Sequence, residues 1–167
     1  MGRKISYRPR MSEPSRLQEE LHQTRPFHSK AQEAALSIVR TADCVRRHFQ
    51  ELIEPHGITV QQYNVLRILR GVHPEPLPTL EIAGRLIEQT PGITRLLDRL
   101  DAKGLVRRQR CVSDRRMVHC WITDAGLSLL KSLDSAVNQA DEEVMRGLGS
   151  KDIEILIGLL ERVRAGL

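Results

Sequence analysis

Between Ser29 and Glu54 the apolar residues recur at Ala35, Leu36, Val39, Ala42, Val45, Phe49 and Leu52-Ile53, spacings of three and four that predict one long amphipathic helix. Pro55-His56-Gly57 ends it. Thr59-Val60-Gln61-Gln62 has the form of a capping box, and the apolar pattern Tyr63, Leu66, Ile68-Leu69 behind it predicts a second helix closing near Arg70-Gly71. Three prolines between His73 and Pro78 exclude helix and predict a connecting loop. A short helix from Thr79 to about Ile87, with Ile82, Ala83 and Leu86 inward, is followed by a break at Glu88-Gln89. Thr90 is the expected cap and Pro91 the expected first residue of the next helix, which runs to Lys103 and stops at Gly104.

The period then changes. Residues 105–111 and 117–122 read as two strands flanking Val112-Ser113-Asp114-Arg115-Arg116, a β-hairpin with a charged tip. Thr123 caps a long helix from Asp124 to about Arg146, with Leu127, Leu130, Leu133, Val137, Ala140 and Val144 on one side, and Gly147 to Gly149 breaks it. Ser150 is the expected cap of a last helix striped with Ile153, Leu156, Leu159-Leu160 and Val163. The fold class is therefore mainly α with a small β-hairpin. Residues 1–28 mix Pro9, Pro14 and Pro26 with Ser and Arg, show no sustained period and read as a flexible or partner-ordered extension.

Charge sharpens this picture. The net charge is +5, but it is unevenly placed. Residues 1–30 hold seven Lys/Arg against three Glu, and residues 85–116 hold nine against four acids, while residues 31–167 as a whole are close to neutral. A local positive surplus is the footprint of a phosphate-binding face, or else a solvated charged face. No apolar run approaches a membrane span, the N-terminus lacks the apolar stretch of a secretory signal, and Cys44, Cys111 and Cys120 form no paired framework, so the expected compartment is a reducing cytoplasm without membrane attachment.

Two short helices joined by a tight turn and followed by a basic hairpin match a helix-turn-helix with a wing, whose second helix enters the major groove of double-stranded DNA. On the 91–103 helix Ile93, Leu96-Leu97 and Leu100 take one face and leave Thr94, Arg95, Asp98 and Arg99 pointing elsewhere. Arg can make a bidentate contact to guanine and Thr can meet a thymine methyl. The alternative is that Arg95 and Arg99 pair with Asp98 and Asp101 on a solvated helix.

The run Leu80-Glu81-Ile82-Ala83, then Thr94-Arg95-Leu96-Leu97-Asp98-Arg99-Leu100-Asp101-Ala102-Lys103-Gly104-Leu105-Val106-Arg107-Arg108, then Asp114-Arg115-Arg116 and Ile122-Thr123-Asp124-Ala125-Gly126, resembles the MarR family of bacterial regulators. The resemblance covers about residues 30–165 and includes Gly57-Ile58-Thr59 before the second helix. It implies a homodimeric repressor of a pseudo-palindromic operator, built from the first and last helices and released by a small molecule, an oxidant or a metal. It also implies that Arg116 enters the minor groove, with Arg115 beside it, and that Asp114 braces the wing. Pro91-Gly92 at the start of the recognition helix and the prolines of 73–78 depart from the family's usual pattern. On this reading residues 29–167 form the regulator, with 29–54 and 124–166 as dimerisation helices and 59–123 as the winged lobe.

A dimer also follows from the surplus of amphipathic helix at the chain ends, since twofold pairing would bury stripes that one small lobe cannot cover; packing within the monomer is the alternative. The family's effector cavity suggests His48, Phe49, His56 and Tyr63 as lining residues, each of which could equally be core or surface. The six histidines show no tight ligand spacing, so no metal site is expected, and no cofactor either. Cys44 is a candidate oxidant sensor or a small hydrophobe, and Cys111 and Cys120 are placed on opposing strands where they could approach. No nucleophile with an activating base appears, so catalysis is not expected. A winged-helix module that holds an acidic protein on the same basic face is the reading from a different class.

Overall fold

The computed structural model of the chain describes residues 14–88, 92–111 and 117–167. They belong to two compact units, one ending at Cys44 and one beginning at Val45. In the first, helix α1 (Arg16–Glu20) precedes α2 (Lys30–Ile53). The Ser15 hydroxyl accepts from the Gln18 N–H and the Gln18 side chain accepts from the Ser15 N–H at 3.0 Å, a closed capping box. This short helix lies inside the extension expected to lack fixed structure. Five residues are too few to display a period, and Ser15-x-x-Gln18 was the only readable sign of it. Glu20 of α1 faces Arg40 of α2 at 3.8 Å.

The second unit takes the C-terminal part of α2, a 3₁₀ turn at Glu54–His56, α3 (Val60–Arg70), strand β1 (Leu77–Pro78), α4 (Thr79–Arg85), α5 (Ile93–Ala102), β2 (Val106–Arg110), β3 (Val118–Ile122), α6 (Asp124–Met145) and α7 (Ser150–Ala165). Its core is built from Ile53, Leu66, Leu69, Ile82, Leu97, Leu100, Leu130 and Leu133, each sealed from solvent. These are the positions the helical spacing had turned inward. Thr59 caps α3 through the expected box with Gln62.

The sheet has three strands rather than two, antiparallel in the order β1-β3-β2. The proline-rich loop supplies the third: Leu77 lies opposite Cys120 and Pro78 opposite His119. Pro78 cannot donate to a ladder, which is why its surroundings read as loop, but at a sheet edge no second partner needs its missing N–H.

Two helix starts differ from expectation. α5 begins at Ile93 with Gly92 as its N-cap and no side-chain cap; Thr90 and Pro91, expected as cap and first residue, lie outside the described residues. α7 begins at Ser150 itself, because Gly149 takes the extended cap conformation and its N–H donates to Asp152 Oδ2 at 3.3 Å. At the other end of α5 the expected glycine stop is present. Gly104 has φ +67°, and the N–H groups of Gly104 and Leu105 donate to Asp101 and Leu100 at 2.8 and 3.0 Å.

The junction after the wing is tight. The Thr123 N–H donates to Leu105 O at 3.2 Å, its hydroxyl donates to Gly104 O at 2.7 Å and accepts from Gly126 N–H at 3.2 Å, and Gly126 sits directly against this backbone. Among the described residues no helix is long and apolar enough to cross a membrane.

Candidate nucleic-acid interface

The residues that follow α4 are fastened from α3. Asn64 Oδ1 accepts from the Ile87 N–H at 3.2 Å, and Gln61 Nε2 donates to Glu88 at 3.2 Å. Two polar side chains of one helix thus hold the end of the helix before α5. With Leu96, Leu97 and Leu100 buried, helical geometry sends Thr94, Arg95, Asp98 and Arg99 outward, and all four are exposed.

The four are not equivalent. Neither Arg95 nor Arg99 makes an ion pair among the described residues, so the solvated pairing with Asp98 and Asp101 is not what the structure contains. Asp98, expected among the DNA-facing residues, is paired with Arg108 of β2, whose side chain is only 17% exposed. A carboxylate would repel phosphate, and here it serves as a brace between helix and wing. Lys103, at the end of α5, donates to the Gly57 carbonyl and lies 3.5 Å from Gln62 Oε1, which ties it to the start of α3. Arg85 pairs with Glu81 at 3.2 Å.

The basic cluster of 85–116 therefore divides by partner. Arg85, Lys103 and Arg108 are engaged internally, whereas Arg95, Arg99, Arg107 and Arg110 are exposed without an ion pair among the described residues. Arg107 has its guanidinium 4.4 Å from the ring centre of Trp121, its direct cross-strand neighbour. Asp114, Arg115 and Arg116, the expected wing-tip residues, lie outside the described residues. The contacts of Lys103, Arg107 and Arg108 could not be read from spacing along the chain, because they depend on strand register and on which helix end meets which.

Of the four expected cavity residues, Phe49 packs on the core cluster that holds Tyr63, and His48 lies against Phe49. Tyr63 is a core residue, and its burial pushes its phenol above the ordinary value, with the Arg67 charge opposing. His48 packs edge-on to Phe49 at 6.0 Å and faces Glu143 at 3.5 Å, while His56 is exposed in the 3₁₀ turn. None of them lines a cleft of roughly 560 Å³ found elsewhere, whose walls include Thr79, Leu80, Thr94, Arg108 and Val118. Arg108 Nε, shielded from solvent, has no hydrogen-bond partner there.

Cys120 is buried beside the Thr79 hydroxyl at 3.8 Å, and its burial pushes the thiol pKa up. Its cross-strand neighbours are Leu77 and Arg108, not Cys111, whose N–H donates to Met117 O at 2.9 Å. The approach of the two thiols that the sequence left open is thus absent: it needs a three-residue slip of the hairpin, and an odd slip would turn every β2 side chain to the wrong face. Cys44 is exposed. No cluster of His, Cys, Asp and Glu among the described residues could hold a metal ion.

A MarR family profile matches residues 58–118, the span from the start of α3 into β3. A crystal structure of a MarR transcription factor from Planctomyces limnophilus is 45% identical, with 81% of this chain and 98% of that one covered and a TM-score of 0.65. A cysteine-to-serine mutant of MarR from E. coli, crystallised with operator DNA, is 25% identical over 83% of this chain and 99% of that one, with a TM-score of 0.73. Sco3205, a MarR family regulator from Streptomyces coelicolor solved in complex with DNA, shares the fold at 21% identity and a TM-score of 0.74, covering 87% of this chain and 92% of that one.

Proposed function

Because the chain belongs to the MarR family of winged-helix transcriptional regulators, we propose that it is a cytoplasmic homodimer that binds a pseudo-palindromic operator and represses transcription until a small-molecule or oxidant signal releases it. The observation that carries the DNA reading is the outward face of α5, where Thr94, Arg95 and Arg99 stand exposed and the two arginines lack a carboxylate partner among the described residues. Phosphate and guanine edges are the acceptors that such arginines fit. The dimer reading rests on helices that bury little of their own. α7 has no buried residue although Ile155, Ile157, Leu159 and Val163 are 47–60% exposed, and α2 exposes Leu36, Ile38 and Val39. The extension up to residue 28 adds positive charge that could follow the DNA backbone.

A small anionic effector has a suitable address in the cleft beside Thr94 and Arg108. An anion seated there would compete with Asp98 for Arg108 and loosen the brace between α5 and the wing. Aromatic acids that raise the melting temperature of wild type but not of Arg108→Gln, and that release operator DNA, would support it; no shift with any acid would overturn that part alone.

The DNA reading is tested by gel shifts on genomic fragments flanking the gene. Saturable binding to a pseudo-palindrome with half-sites about one helical turn apart, weakening steeply with salt, is expected. Uniform weak binding to every fragment would favour the alternative, a module holding an acidic protein partner.

A further inference from the structure

We infer that Arg107, laid on Trp121 on the outer face of the wing, is a DNA-phosphate contact of each subunit separate from the recognition helix and the wing tip, and that Trp121 is its positioning residue. The inference rests on the DNA-binding reading and deepens it. It starts from register. Val106 lies opposite Ile122 and Arg108 opposite Cys120, and Val106, Ile122 and Cys120 are buried, which fixes that side of the β2–β3 ribbon against the core. Alternation then puts Arg107, Gln109, His119 and Trp121 on the other side. Arg107 is exposed.

That outer row is chemically one-sided. Neither β2 (Val-Arg-Arg-Gln-Arg) nor β3 (Val-His-Cys-Trp-Ile) contains an acid, and no ion pair neutralises Arg107 among the described residues. Its guanidinium lies over the indole at 4.4 Å, and His119 closes edge-on against the same ring at 6.0 Å. Stacking occupies the flat face of a guanidinium and leaves its N–H edge free, the edge that grips a phosphate with two parallel bonds. It also removes much of the rotamer freedom that a lone surface arginine would lose on binding. Arg108, one residue on, shows the contrast: it faces inward and is engaged by Asp98.

The chain has a single tryptophan, so its emission reports directly on this contact. The test uses full-length protein and the operator fragment identified by gel shift, with binding followed by anisotropy of labelled DNA from ~50 to ~200 mM salt. Arg107→Ala is expected to weaken binding about tenfold at the low-salt end and to reduce the salt slope by about two per dimer, equally for every operator variant. Arg107→Lys should recover the slope without the full affinity, because charge is restored but the fork is not. Trp121→Leu should keep most of the slope and lose part of the affinity, since the charge stays and its pre-ordering goes. Wild-type tryptophan emission should change on DNA binding, and Arg107→Ala should abolish most of that change. Melting curves identify a variant that misfolds; Arg107→Gln, which removes the charge and the fork but keeps a polar side chain, then stands in for it. Wild-type affinity and slope in Arg107→Ala, with Arg99→Ala still impaired, would overturn this inference and leave the DNA reading intact. Failure of wild type to prefer any fragment would overturn both.

Discussion

Gly126 leaves no room for a methyl group. A Cβ there would collide with Leu105 O and stand 2.8 Å from Ile122 Cγ1, and the first of these is backbone that cannot turn aside. Gly126→Ala is therefore expected to cost about 1–3 kcal/mol through overpacking, read as a lower urea midpoint at unchanged m-value. Cys120 gives the fold a pH dependence of definite sign. Burial raises its thiol above the ordinary value, only partly offset by the Thr79 hydroxyl. The stability this carries is present in full below the unfolded-chain value of about 8.5 and is lost as pH rises through the higher folded value. Urea midpoints should fall as pH rises above about 8.5, and Cys120→Ala, less stable throughout for lack of the sulfur, should show a flatter profile over the same range.

At the scale of elements, Thr123 ties the residue before β2 to the start of α6 through one hydroxyl, which donates to Gly104 O and accepts from Gly126 N–H. Thr123→Val keeps the shape and removes both, and should lower stability by about 1–2 kcal/mol, measurable as a lower melting temperature. Elements of this kind were legible in the sequence because their signals are local: Thr59 with Gln62, Thr123, Gly104 and the apolar spacing of α5 each act within one turn of helix. What was not legible depends on meetings between distant segments. β1 exists only because β3 lies beside it, and α1 is shorter than the period that would announce it. The outward placement of Arg95 and Arg99 could be read from helical spacing. The diversion of Asp98 to Arg108, and of Lys103 to Gly57, could not, since it depends on where β2 and α3 pass α5.

At the scale of the whole molecule, α7 is a helix whose Ile155, Ile157, Leu159 and Val163 remain uncovered within one chain. Ile155→Glu combined with Leu159→Glu changes residues that are 60% and 50% exposed, so the isolated chain should lose little. Sizing should nevertheless shift from dimer to monomer, and operator affinity should drop at least about tenfold as the two half-sites lose their linkage. A double variant that still elutes as a dimer would place the pairing surface elsewhere. The contacts of α5 bear on how such a dimer meets its operator. The helix is fastened at its middle, Asp98 to Arg108, and at its end, Lys103 to Gly57, so it behaves as a tooth fixed to its wheel rather than as a hinged finger. One extra base pair between half-sites turns the second about 34–36° out of phase, and a fixed tooth cannot swivel to follow it. The protein should therefore act as a gauge of half-site spacing, and loosening the far fastening with Lys103→Met should make that gauge tolerant, narrowing the affinity gap between correctly spaced and over-long operators.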